Sequence, residues 1–115
     1  MAGVSYVLTV YNKAPQLPLV IEGLRRQQGG FEREFIFVDD GSTDGSAQLI
    51  EREARDLPGL TVLRQANAGP SWALNAGLAR ARLPFVKALD GDDMLTPRAT
   101  EVLLGAVAET GCGVA

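Results

Sequence analysis

Cysteine and histidine, two of the most reactive residue types, are almost missing from this chain of 115 residues. The sequence has one cysteine, Cys112, and no histidine. A single cysteine excludes an intrachain disulfide framework, and the lack of histidine removes the commonest zinc ligand and general base. Any bound metal ion is therefore expected to have oxygen ligands.

An excess of positive charge and long apolar runs are missing as well. Asp and Glu number 14 against 11 Lys and Arg, and the net charge of −3 gives no basic field to attract nucleic acid. No apolar run approaches the roughly 20 residues that cross a bilayer, and the first residues do not resemble a signal peptide. We expect a cytoplasmic chain, while membrane association of a longer parent protein is left open.

Four short apolar runs alternate with segments whose apolar residues recur at helical spacing. With 46% hydrophobic residues, the chain is expected to form one domain over residues 1–115. The runs predict strands over 4–10, 34–38, 60–63 and 84–89. Strands separated by helices run parallel with right-handed crossovers. The sequence therefore predicts an α/β, Rossmann-like fold with a mostly parallel sheet flanked by helices.

The intervening segments predict four helices and an unfinished strand. The first helix is expected over 15–28 with Pro15 in its first turn, and the second after a cap at Thr43 or Asp44. The third and fourth are expected over 72–81 and 97–109, with Trp72 packed inside. Residues 111–115 predict a turn and the start of a fifth strand, as expected of a shortened protein.

Polar residues follow each predicted strand. In parallel sheets ligands bind beyond the carboxyl ends of the strands, so these residues are candidates for a binding site. They are Thr9, Tyr11 and Asn12, then Asp39, Asp40, Gly41 and Ser42, then Asn67 and Gly69, and finally Asp90, Asp92 and Asp93.

The last of these groups, Asp90-Gly91-Asp92-Asp93, places three carboxylates within four residues. Their mutual repulsion favours a nearby divalent cation such as Mg²⁺ or Mn²⁺. The alternative is that Asp92 or Asp93 caps the next helix or lies in a solvated turn. The position directly after an apolar strand favours the metal.

The other strand ends suggest a nucleotide. At least one of the adjacent Asp39 and Asp40 is not needed to cap the following helix, and its carboxylate can accept a hydrogen bond from a nucleobase. Tyr11 can stack on that base, although packing is the alternative for an isolated tyrosine. The loop from Asn67 leads into a helix N-terminus whose free N–H groups can face phosphate.

Together these motifs resemble family 2 glycosyltransferases of the GT-A fold. The resemblance rests on residues 4–12, on Val38 to Asp44, on the Asn67-Ala68-Gly69 and Asn75-Ala76-Gly77 motifs, and on Leu89 to Asp93. The resemblance covers nearly the whole chain. It includes the order of the motifs, their spacing and their position at the ends of strands.

The resemblance implies a role for each matching position. Tyr11 and Asp40 are expected against the nucleobase with Thr9 and Asp39 nearby. Asn67 is also expected to bind the nucleotide, Asp90 lies towards the ribose, and Asp92 with Asp90 holds Mg or Mn. The implied reaction is inverting transfer from a nucleotide-diphosphate sugar, with a UDP-sugar favoured, to a carbohydrate or lipid-linked acceptor hydroxyl. The acceptor-binding half and the general base are expected beyond Ala115, so the isolated chain is expected not to transfer sugar.

Two positions depart from the family pattern. Thr9 stands where many members have proline, and Leu74 where many have an arginine before the helical Asn75. The missing arginine puts the anchoring of phosphate or ribose in question. Arg80, Arg82 and Lys87 are the nearby candidates to replace it.

Other α/β nucleotide or metal proteins fit less well. Residues 9–15 contain no glycine, which excludes a dinucleotide dehydrogenase, and the G-K-[ST] of a P-loop is absent. A receiver-like Mg²⁺-binding signalling module would place acids after the first strand, where Tyr11 and Asn12 stand. A sugar nucleotidyltransferase would usually open with a glycine-rich basic loop.

Overall fold

The computed structural model describes residues 3–91, which form a four-stranded sheet and three helices. The strands are β1 (Gly3–Val10), β2 (Glu32–Asp39), β3 (Leu60–Arg64) and β4 (Phe85–Asp90), and the helices are α1 (Leu17–Arg25), α2 (Ser46–Glu53) and α3 (Pro70–Arg80). All strand pairs are parallel, in the order β3-β2-β1-β4. The predicted α/β fold and its four strands are confirmed. The predicted helix over 97–109 and the fifth strand lie outside the described residues.

Alternating side chains of the central strands cover the two faces of the sheet. On one face Tyr6 and Phe35 stack with their ring centres 5.0 Å apart, within the core that α1 and α2 close. On the other face Val7 packs against α3. A Cβ atom at Gly77 of α3 would lie 2.3 Å from Val7 Cγ1, so the missing side chain lets this helix approach the sheet closely. Both faces of the sheet centre are therefore buried.

The first two helices begin differently from the prediction. Helix α1 starts at Leu17 with Pro18, not Pro15, in its first turn. The carbonyl of Lys13 accepts the N–H groups of Gln16 and Leu17, so Pro15 lies in a separate turn. The residue at the N-cap position of α2 is Gly45, in the left-handed region at φ 86°. Asp44, one of the two predicted capping residues, still accepts the N–H of Ser46, the first residue of the helix, on its Oδ1 at 3.0 Å.

Trp72 is not packed inside, contrary to the prediction. Its side chain is 67% exposed, because α3 buries its Ala73 and Gly77 face against the sheet. Helix α3 is the longest described helix at 11 residues. Within residues 3–91, no helix is long and apolar enough to cross a membrane.

A buried glutamate joins three elements at the amino end of the sheet, where the strands begin. Glu34 accepts hydrogen bonds from the Ser5 hydroxyl at 2.6 Å, the Arg82 N–H at 2.7 Å and the Arg82 Nε at 3.3 Å. The Ser5 hydroxyl also accepts the N–H of Leu83 at 3.1 Å. Burial would raise the pKa of Glu34, but the hydrogen bonds from Ser5 and Arg82 outweigh it and lower that pKa. Glu34 thus attaches the α3–β4 connection to β1 and β2.

Candidate functional site

A cleft of about 350 Å³ opens at the carboxyl end of the sheet, where the strands finish. It lies between the ends of β1, β2 and β4 and the start of α3. Six of the residues singled out in the sequence line it, namely Thr9, Tyr11, Asp40, Asn67, Gly69 and Asp90. Because the strands are parallel, their carboxyl ends bring together side chains that are up to 81 positions apart in the chain, from Thr9 to Asp90.

Asp40 is the most heavily hydrogen-bonded of these side chains. Its Oδ1 accepts Gln65 Nε2 and the Ala68 N–H, each at 2.8 Å. Its Oδ2 accepts the Gly69 N–H at 3.1 Å and Asn67 Nδ2 at 3.3 Å. Burial would raise the pKa of Asp40, but the bonds from Gln65, Ala68 and Gly69 lower it. Asp40 therefore enters the cleft as a fixed carboxylate that also shapes the loop before α3.

That free N–H groups at the start of α3 face phosphate stays a prediction, and the loop before this helix adds none to them. The N–H groups of Ala68 and Gly69 both point to Asp40, and Pro70 has no N–H. The loop is brought to Asp40 by Gly41, whose φ of +78° favours glycine. A Cβ atom at Gly41 would lie only 2.8 Å from the backbone nitrogen of Asn67.

Asp39 takes a different place from its neighbour. Successive strand residues point to opposite faces of the sheet, so Asp39 lies on the α1–α2 side. It is 4% exposed and is not among the residues that line the cleft. Its Oδ2 accepts the Ser42 N–H at 3.1 Å, whereas its buried Oδ1 has no partner within residues 3–91. A direct nucleotide contact by Asp39 stays a prediction.

Reciprocal hydrogen bonds tie the loop that carries Tyr11 to the loop after β2. The Asn12 N–H donates to Ser42 Oγ at 2.9 Å, and the Thr43 N–H donates back to Asn12 Oδ1 at 2.8 Å. The Lys13 N–H donates to Ser46 Oγ at 3.0 Å. These bonds hold the backbone beside Tyr11, whose side chain is 47% exposed at the cleft. An exposed ring on a fixed loop can stack on a flat ligand.

Asp90 ends β4 at the far wall of the cleft. Its Oδ1 accepts the Gly91 N–H at 2.7 Å, and the same N–H donates to the Thr9 carbonyl at 2.9 Å. Its carboxylate oxygens are the ligand type that hard divalent cations take. Asp92, the other predicted metal ligand, lies outside the described residues. Residues 3–91 by themselves contain no group of three or more metal-ligating side chains.

The structure adds two residues to the site that the sequence did not single out. Lys13 lines the cleft, and Gln65 holds Asp40 from behind. Lys13 follows directly after Tyr11 and Asn12, so its place after β1 was a usable signal. Gln65 had none, because its role depends on the contact between two loops.

The candidates to replace the missing arginine lie elsewhere. Leu74 packs, half-buried, against the core beneath α3. Arg82 binds Glu34 at the amino end of the sheet, and neither Arg80 nor Lys87 lines the cleft. Among the described residues that line it, Lys13 has the only cationic side chain.

A doubly wound α/β sheet with an acidic cleft at its carboxyl end defines a nucleotide-binding class of fold. Comparison with known proteins narrows that class. The model of "Glycosyl transferase family 2" matches residues 5–115, and the chain belongs to this family. The resemblance seen in the sequence is thereby confirmed.

Individual relatives and solved structures agree with this assignment. The chain is 33% identical over 111 residues to the uncharacterized glycosyltransferase YibD of Escherichia coli, covering 96% of the chain and 32% of YibD. The S. aureus TarS 1–349 structure in complex with UDP-GlcNAc superposes with a TM-score of 0.83 at 27% identity, covering 95% of the chain and 32% of TarS 1–349. The mannosyltransferase PcManGT of Pyrobaculum calidifontis, in complex with GDP-Man and Mn²⁺, gives 0.74 at 28% identity, over 79% of the chain and 28% of PcManGT. The chain thus spans about a third of the length of these proteins.

Proposed function

We propose that this chain is the nucleotide-sugar-binding part of a glycosyltransferase that uses a UDP-sugar. The observation that carries the proposal is the convergence of Thr9, Tyr11, Asp40, Asn67 and Asp90 on one cleft. TarS, a similar structure, was solved with UDP-GlcNAc, which supports a uridine nucleotide as the donor. The reaction proposed for the full-length protein is transfer of the sugar, with inversion, to a hydroxyl of a carbohydrate or lipid-linked acceptor.

The two walls of the cleft suit the base and the ribose respectively. At one wall the exposed Tyr11 ring stacks on the base. A base N–H would take the place of the long 3.3 Å contact from Asn67 Nδ2 on Asp40 Oδ2, since Asn67 Nδ2 also donates to the Asp40 carbonyl. Thr9 and Asn67 flank this position. At the other wall Asp90 accepts hydrogen bonds from ribose hydroxyls.

A divalent cation belongs to the proposed site. Asp90, together with Asp92, would hold Mg²⁺ or Mn²⁺, and the all-oxygen donor set fits such hard ions. Binding of Mn²⁺ by the similar PcManGT supports this choice. The ion would neutralise the charge that develops on the departing diphosphate. Since the general base is expected beyond Ala115, the chain by itself should bind the nucleotide without transferring sugar.

Calorimetric titration of the 115-residue chain with UDP and GDP, with and without Mn²⁺, tests the proposal. We expect UDP binding that Mn²⁺ strengthens. Asp92→Ala should abolish this dependence on Mn²⁺ and weaken UDP binding about ten- to a hundredfold, the scale of a lost charge-assisted contact. Glu32→Ala is the matched control, because it removes one negative charge from an exposed position at the amino end of the sheet.

Two results would contradict the proposal. One is binding of UDP that neither a chelator nor Asp92→Ala alters. The other is failure of the wild-type chain to bind any nucleotide diphosphate while circular dichroism shows it folded.

A further inference from the structure

We infer that Asn12 is a positioning residue, which fixes the Tyr11 ring at the cleft so that the ring can stack on the base of the ligand. This inference rests on the proposed function, since Tyr11 is the residue proposed to meet the base. Tyr11 lines the cleft and is 47% exposed. An exposed ring has few neighbours to hold it, so its position depends on the backbone that carries it.

The backbone after Tyr11 is bound to one distant segment, residues 42–46. Three successive N–H groups donate to side-chain oxygens of this segment. They are those of Asn12 to Ser42 Oγ at 2.9 Å, of Lys13 to Ser46 Oγ at 3.0 Å and of Ala14 to Asp44 Oδ2 at 3.1 Å. The partners are 30 to 33 positions apart in the chain, so only the fold brings them together.

Asn12 also contributes its side chain to this contact. Its Oδ1 accepts the Thr43 N–H at 2.8 Å, while its own N–H donates to Ser42. The two loops are therefore bonded in both directions at this one residue. A residue without a side-chain acceptor at position 12 would leave the bond from Thr43 unmade.

The backbone of Asn12 has a conformation that few residues adopt. Its φ is 52°, and among residues 3–91 it is the one non-glycine residue with a positive φ. The left-handed region disfavours most L-residues, whereas asparagine and aspartate tolerate it. Such a conformation persists where the surrounding contacts over-determine it, and residues 42–46 supply those contacts. The turn after Tyr11 thus requires both properties of Asn12, its backbone tolerance and its acceptor oxygen.

The segment that binds Asn12 is itself fixed. The Ser42 N–H donates to Asp39 Oδ2 at 3.1 Å, and the Ser46 N–H donates to Asp44 Oδ1 at 3.0 Å. Ser46 is fully buried at the start of α2. The position of the Tyr11 ring is therefore set by the fold before a ligand binds, which lowers the cost of ordering the ring on binding.

The test compares three substitutions that separate the two properties of Asn12. Asn12→Gly keeps the left-handed backbone but removes the acceptor, Asn12→Ala removes the acceptor and disfavours the backbone, and Asn12→Asp keeps both. Gln48→Ala is the matched control, because it removes an exposed amide side chain from the neighbouring α2. Each variant is titrated with uridine, UDP and inorganic diphosphate in the presence of Mn²⁺.

We expect Asn12→Ala to weaken uridine and UDP binding about two- to tenfold, the scale of one aromatic contact, and to leave inorganic diphosphate binding unchanged. Asn12→Gly should lose less affinity, while Asn12→Asp and Gln48→Ala should bind like wild type. Unchanged uridine affinity in Asn12→Ala would overturn the inference. So would equal losses of uridine and inorganic diphosphate, because the whole cleft would then be disturbed.

A double-mutant cycle with Tyr11→Ala shows whether Asn12 acts through the ring. Once the ring is absent, Asn12→Ala should cause no further loss of UDP affinity. A second loss of the same size in the Tyr11→Ala background would give Asn12 a role independent of Tyr11, and the inference would be wrong.

Fluorine NMR of the chain labelled with fluorotyrosine measures the ring without any ligand. The chain has two tyrosines, and Tyr6 is fully buried on Phe35, so its resonance reports an intact core. We expect Asn12→Ala to change the transverse relaxation rate of the Tyr11 resonance and not that of Tyr6. Equal relaxation of Tyr11 in Asn12→Ala and wild type would contradict the inference. If wild type binds no uridine nucleotide, the proposed function is wrong, and this measurement still decides whether Asn12 holds the ring.

Discussion

At the amino end of the sheet Glu34 is 4% exposed, and at the carboxyl end Asp40 is 4% exposed. Each carboxylate accepts hydrogen bonds from a segment far away in the chain, Arg82 in the first case and residues 65–69 in the second. Only Asp40 lines an open cleft. The comparison teaches that a buried carboxylate can have a purely structural role at one end of a sheet and a double role, in structure and in ligand binding, at the other.

The largest effect on stability is expected at the amino end. Glu34→Ala leaves the Ser5 hydroxyl and the Arg82 N–H without their acceptor in a buried place, and we expect a loss of about 3 kcal/mol in the free energy of unfolding. Urea titration monitored by circular dichroism measures it. Arg82→Met serves as control, since its side chain is 80% exposed and its loss should cost under about 1 kcal/mol. A larger loss in the control would show that the ion pair, and not the buried network, holds this end.

The next effect, at the carboxyl end, should appear in two measurements. Asp40→Asn keeps one acceptor oxygen but offers an amide where the Gly69 and Asn67 donors point, so we expect a loss of about 2 kcal/mol in stability. Nucleotide affinity should fall at least tenfold at a temperature where the variant is folded. Gln65→Ala removes one donor to Asp40 without changing a residue that lines the cleft. We expect it to lower the free energy of unfolding by about 1 kcal/mol and to change nucleotide affinity only a little. Equal affinity in wild type and Asp40→Asn would reduce Asp40 to the same structural role as Glu34.

The smallest effect concerns pH. The pKa values of Glu34 and Asp40 are lowered from their ordinary 4.5 and 3.8, so each group contributes stability above these values and loses it as the pH falls through the lower, folded pKa. The free energy of unfolding should be nearly constant from pH 7 to about pH 5 with respect to these groups and decline in more acidic solution. Glu34→Gln should be less stable at pH 7 and decline less steeply. Parallel pH profiles of the two proteins would mean that the buried glutamate does not drive acid unfolding.

The described part of the fold followed largely from local sequence patterns. Apolar runs such as residues 34–38 predicted buried strands. The segments between these runs have apolar residues at helical spacing, and strands that are connected by helices pair in parallel. The bounds of α1 and α2 were less accurate, because turns at Pro15 and Gly45 depend on hydrogen bonds with other loops. Trp72 was misplaced for a related reason. Composition favours burial of tryptophan, but Ala73 and Gly77 form the narrow face on which α3 meets the sheet.

For the binding cleft, the sequence by itself determined which residue types stand after each strand, and parallel topology then brought them to one end of the sheet. The sequence order could not assign separate duties to Asp39 and Asp40, since their opposite directions follow from strand pleating and their partners from the packing of the loops. Only the tertiary structure placed Gln65 behind Asp40 and gave its loop N–H groups to that carboxylate. It alone brought Lys13 over Gly91, because that contact joins residues 78 positions apart through the pairing of β1 with β4.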